Sequence, residues 1–170
     1  MIQAVIFVVF PLCLALAALT DLFEMTIPNR IPAVLLGAFL LAAPFSGLGW
    51  SGFGMHMAAA AVVFAGGFAL FALNVMGGGD AKLLTAAAVW FGLTKSLLVF
   101  LIYVGYAGGV LTLLILLLRG RANLVIAMGL PVPHSILAAK KIPYGIAIAI
   151  GGLASYAQSP LVAQALESLR

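Results

Sequence analysis

Residues 96–118 run without a single charged side chain, and four comparable runs occupy residues 2–20, 31–45, 55–75 and 142–157. A helix of about 20 apolar residues crosses the roughly 30 Å hydrocarbon core of a bilayer. The whole chain is 65% hydrophobic and 7% charged, whereas an ordinary soluble domain is about 25% charged. No water-soluble arrangement of 170 residues hides that much apolar surface. The chain therefore reads as an all-α, polytopic membrane protein. Its connections are too short for a separate soluble domain, so residues 1–170 form one membrane-embedded domain.

A sixth, shorter run, apolar apart from Lys82 and Thr85, follows three glycines at residues 81–91. A helix from Asp80 to Phe91 is only about 18 Å long at 1.5 Å per residue, so it must be tilted, extended past Gly92 or shielded by its neighbours. Counting it gives about six transmembrane helices. The small residues of "LALA" near the N-terminus are compatible with a cleaved secretory signal, but no Lys or Arg precedes residues 2–20, which are read as a retained helix. Residues 123–139 are apolar too. Pro131 and Pro133 interrupt them, and proline removes helical hydrogen bonds, so this stretch reads as cytoplasmic, lying partly at the interface.

The net charge of +4 does not indicate nucleic acid, because the basic residues sit at the ends of apolar runs. With the N-terminus outside, Arg30, Lys82, Arg119, Arg121, Lys140 and Lys141 are cytoplasmic and only Lys95 and Arg170 are external. That is the positive-inside bias of a cytoplasmic-membrane protein. It puts both termini outside and the connections "DLFEMTIPNR" and "MGGGDAK" inside. Cys13 is the only cysteine, so neither a disulfide framework nor a four-cysteine zinc site is available. His56 and His134 fall on opposite sides, and no metal-ligand cluster emerges. Glycine pairs at 66–67, 108–109 and 151–152, and the GxxxG spacing of Gly105 and Gly109, read as helix-packing contacts.

Besides the C-terminus the chain has four carboxylates: Asp21, Glu24, Asp80 and Glu167. Asp80 follows Gly77, Gly78 and Gly79 and precedes an apolar helix, so one reading makes it an N-cap. Asp21 lies at the C-terminal end of the first helix, where the helix dipole disfavours an acid. Ionisable groups placed against a membrane bundle are functional candidates, and this topology brings both aspartates to one face. The glycines match neither a P-loop nor a dinucleotide fingerprint. They offer a loop without side chains, against which an extended peptide backbone could lie. Lys82 and Lys141 read either as snorkelling anchors or as charges that tune the acids.

Gly77-Gly78-Gly79-Asp80 fits the GxGD signature of intramembrane aspartyl proteases, and "DAKLL" continues it as in type IV prepilin peptidases. "TDLFEMTIPNR", with Ile27-Pro28-Asn29, resembles that family's first acidic loop, and "KKIPYGIAIAIGG", from Lys141 to Gly145 onward, resembles its final helix. The nearest subgroup is the short CpaA/TadV type of Flp/Tad pili, since the chain has neither the length nor the cysteines of the N-terminal methyltransferase and zinc region of longer members. The resemblance implies that Asp21 and Asp80 are a catalytic pair and that no metal or cofactor is needed. It also implies that the substrate is a prepilin with a short basic leader, cut at the cytoplasmic face of the bacterial inner membrane, and that the partners are the lipid bilayer and the pilus assembly machinery. Two other readings of the acids are a small ion-coupled transporter and a non-catalytic pilus assembly factor; the loop positions of the acids weigh against the transporter.

Overall fold

The computed structural model describes residues 2–121 and 142–167, which contain seven α-helices and no strand. These are α1 (Ile2–Glu24), α2 (Arg30–Ala42, prolonged by a 3-10 turn at Ala43–Phe45), α3 (Trp50–Ala72), α4 (Gly78–Ala88), α5 (Lys95–Gly120), α6 (Tyr144–Ser155, followed by a 3-10 turn at Tyr156–Gln158) and α7 (Pro160–Glu167). The interfacial segment 123–139, His134 and Lys141 lie outside the described residues.

Three helices are long and apolar enough to cross a membrane: α1 over Ile6–Glu24, α3 and α5. A fourth span is available if α6 and α7 act as one broken helix, bent by 42° between them. The six expected spans thus divide into three long helices, one broken pair, and two short helices, α2 and α4. Leu12 and Leu16 on α1, Phe64 and Phe68 on α3, and Ile102 and Leu113 on α5 are all exposed. Water would penalise so broad an apolar exterior, whereas lipid tails accept it.

The shortness of α4 is resolved by shielding. Seven of its eleven residues, Asp80, Ala81, Leu83, Leu84, Ala86, Ala87 and Ala88, are buried, and α2, α3 and α6 all pack against it. Alanine and glycine make this possible: a Cβ on Gly67 would already stand 3.3 Å from that of Ala81, so α3 and α4 cross with no side chain between them.

A helix ending inside a bundle leaves carbonyl groups that water cannot reach. Here side chains from three other segments meet them. His56 Nδ1 pairs with Val89 O at 2.5 Å, Ser159 Oγ donates to Trp90 O at 2.6 Å, and Thr94 Oγ1 donates to Phe91 O at 3.0 Å. The Trp90 indole N–H donates in turn to Leu35 O at 3.2 Å. Around them stand the rings of Phe10, Phe39, Trp90, Phe91 and Phe100, all fully buried, with Phe91 stacked on Phe100 at 4.6 Å.

The glycine pairs divide. Gly151 and Gly108 do bring α5 and α6 together: a Cβ at Gly151 would lie 2.6 Å from Val104 N, and one at Gly108 2.9 Å from Tyr144 Cε1. Gly105 and Gly109 differ from the packing expectation, for nothing lies within 4 Å of a Cβ at either and both are exposed. A GxxxG spacing marks one stripe of a helix, and in α5 the neighbouring stripe, through Gly108, faces the bundle.

Candidate active site

Asp21 sits in the last turn of α1, which continues to Glu24 and closes with Met25 N–H on Asp21 O at 3.1 Å. Met25 then takes a left-handed φ of 53° and turns the chain away. In the loop that follows, Thr26, Pro28 and Asn29 are exposed while Ile27 is buried. The Asp21 side chain is 5% exposed, and its Oδ2 accepts the Gly145 N–H at 2.6 Å. Gly145 is the second residue of α6, so Asp21 occupies the place of a capping side chain for a helix 124 residues further along the chain.

Asp80 is the third residue of α4, not its N-cap; Gly77 holds that position. The Asp80 carboxylate reaches back so that Oδ2 accepts the Gly77 N–H at 3.2 Å, the acidic half of a capping box. The N-cap expectation is thus corrected in position but kept in kind, because Asp80 still satisfies an otherwise free donor at the start of its helix.

The two aspartates line one cavity of about 280 Å³ together with Gly77, Gly78 and Gly79, and Ile27 and Ile142 complete part of its wall. Each glycine also has a neighbour in its Cβ direction. A Cβ at Gly77 would lie 2.7 Å from Asp80 Oδ2, one at Gly78 3.3 Å from the Phe71 ring, and one at Gly79 3.1 Å from Ile27 Cβ. The bare loop therefore admits the protein's own side chains, whatever peptide it also meets. Lys82 is exposed and donates to Asn29 Oδ1 at 2.9 Å, tying α4 to the start of α2. That contact fits the anchoring reading of Lys82. Lys141 lies outside the described residues.

Two carboxylates facing one small cavity supply what general acid–base hydrolysis needs: one group to take a proton and one to give it. Among the described residues no group of three or more His, Cys, Asp or Glu could hold a metal ion. The model of the type IV leader peptidase family matches residues 8–113, a stretch that contains both aspartates and the glycine loop. The chain belongs to the type IV leader peptidase family. No curated protein and no solved structure matches it. The peptidase thus brings together Asp21, Asp80 and the three glycines picked out from its sequence. Two features of the site were not visible there: the backbone bond from Gly145, which no side chain announces, and the burial of Ile27 in an otherwise exposed loop. The one available signal was the similarity of residues 141–145 to the family's final helix.

Proposed function

We propose that this peptidase is an aspartic endopeptidase with Asp21 and Asp80 as its catalytic pair. The observation that carries this reading is their meeting: α1 and α4 each deliver one carboxylate to the same cavity beside the glycine loop. Two carboxylates so placed share one proton and act as a unit. The charged member removes a proton from a water molecule, whose oxygen bonds to the scissile carbonyl carbon. The protonated member donates to the carbonyl oxygen. As the C–N bond breaks, the protonated acid gives its proton to the leaving amine while the other carboxylate takes one from a hydroxyl of the tetrahedral intermediate, which becomes the product carboxyl, so the pair again holds one proton.

The substrate is a prepilin of the type IV or Flp kind, whose short basic leader precedes an apolar helix lying in the membrane. The cut falls at the cytoplasmic face of the inner membrane, where the positive-inside bias puts both acidic connections. The short CpaA/TadV type fits a chain in which Cys13 is the single cysteine.

Co-expression with a candidate prepilin, read as a shortened product on a gel, tests the proposal. Asp21→Asn and Asp80→Asn should each insert at parental levels and cut at least a thousandfold more slowly, because amides keep the hydrogen-bonding shape but cannot move the proton. The double variant should be scarcely worse than either single one, as for residues that act as one unit. Normal cleavage by either single variant would return the transporter and assembly-factor readings to the front.

A further inference from the structure

Ile27 is the buried residue of a short loop whose neighbours Thr26, Pro28 and Asn29 are exposed. Its side chain lies between two helix starts. On one side is Gly79, next to Asp80, where a Cβ would stand 3.1 Å from Ile27 Cβ and 3.4 Å from Ile27 O. On the other is Gly145, where a Cβ would stand 2.9 Å from Ile27 Cδ1 and 2.8 Å from Asp21 Oδ2. Both glycines thus lack a side chain at the places where Ile27 fits. One of them precedes one aspartate in sequence, and the other donates its N–H to the second.

We propose that Ile27 and Gly145 are positioning residues of the acid pair: Ile27 is a spacer wedged between the starts of α4 and α6, and Gly145 pins Asp21 Oδ2, so that together they set the separation of the two carboxylates. The proposal rests on the catalytic reading of Asp21 and Asp80. Asp80 is fixed to the start of α4 by its bond to Gly77, and Asp21 is fixed to the start of α6 by its bond to Gly145. The distance between the carboxylates then follows the distance between two helix starts, and the Ile27 side chain lies against both of them. Removing Cδ1 loosens the contact toward Gly145 and leaves the Cβ contact toward Gly79. Removing the chain beyond Cβ frees α6 to shift against α4. Misplacement of a reacting group by about 1 Å can cost on the order of a hundredfold in rate.

The test is steady-state cleavage of a purified prepilin in detergent micelles, with the thermal melt of each variant as the measure of folding. Ile27→Val should lower kcat several-fold and Ile27→Ala about 10- to 100-fold, with KM within twofold of parent. Gly145→Ala, which puts a methyl against both Asp21 and Ile27, should fall as far as Ile27→Ala. The double variant Gly145→Ala with Ile27→Val should recover part of that loss, because removing Cδ1 relieves one of the new methyl's contacts and lets it lean away from Asp21 Oδ2 at 2.8 Å. A purely structural role predicts that loss and recovery both follow the folded fraction, whereas positioning changes kcat per folded molecule. Any of three results overturns the proposal: kcat within twofold of parent in Ile27→Ala, a loss carried by KM, or a double variant no better than Gly145→Ala. If Asp21→Asn and Asp80→Asn remain inactive in the same assay, only the positioning claim falls. If they cut normally, both the claim and the catalytic reading fall.

Discussion

Asp80 serves two needs with one side chain, since Oδ2 closes the start of α4 while the carboxylate faces the cavity. Gly77→Ala separates these needs from the chemistry. Its Cβ would press on Oδ2 at 2.7 Å, so the carboxylate must turn, and cleavage should fall at least tenfold while insertion stays normal. The readout is cleaved product per unit of folded protein. Lys82→Ala should behave differently: its bond to Asn29 is exposed, exposed polar contacts contribute little, and cleavage should stay within about threefold of parent. The aspartates were legible in the sequence because an acid in a nearly uncharged chain has few structural excuses. Their immediate surroundings were not. Gly145 acts through its backbone N–H, which every residue but proline carries, and Ile27 is one isoleucine among many until the fold shows what it separates.

Helix α4 shows at the next scale what apolar runs conceal. The run at residues 81–91 is apolar apart from Lys82 and Thr85, and apolarity alone does not say whether lipid or protein covers a helix. Its small side chains decide the matter: Ala81, Ala86, Ala87 and Ala88 let α2, α3 and α6 close around it. The same logic separates the glycines of α5 and α6. Gly151→Ala forces a methyl onto Val104 N at 2.6 Å and should destabilise the fold by about 1–3 kcal/mol, as overpacking commonly does. Gly105→Ala meets nothing within 4 Å and should change stability by less than about 0.5 kcal/mol. Thermal melts of the two variants in one detergent compare them directly.

At the scale of the molecule, the end of α1 and the starts of α4 and α6 gather at one pole, and the buried aromatic rings gather at the other end of α4. The charge bias predicts how this axis is oriented. A reporter at Arg121 should be cytoplasmic and tags at Met1 and Arg170 external, as protease protection of right-side-out and inverted vesicles would show. An external reporter at Arg121 would separate the acid pair from the proposed substrate face. Membrane character and the meeting of the two acids at one end of the bundle were readable from the sequence. The division into three long helices, a broken pair and two short helices was not, because it depends on which runs neighbours cover.

The side-chain closure of α4 also bears on what the membrane must not lose. A pair of acids set into a bilayer invites proton leakage wherever a wet path joins it to both sides of the membrane. Below the cavity, α4 offers Leu83, Leu84 and a run of alanines, then Val89, Trp90 and Phe91, all buried and closed over by Phe10, Phe39 and Phe100. The hydroxyls and the imidazole at that end are engaged with carbonyl oxygens. Such a core insulates. Liposomes loaded with the protein should therefore hold an imposed pH difference as long as empty ones, and the site can use water from one side of the membrane without short-circuiting the other.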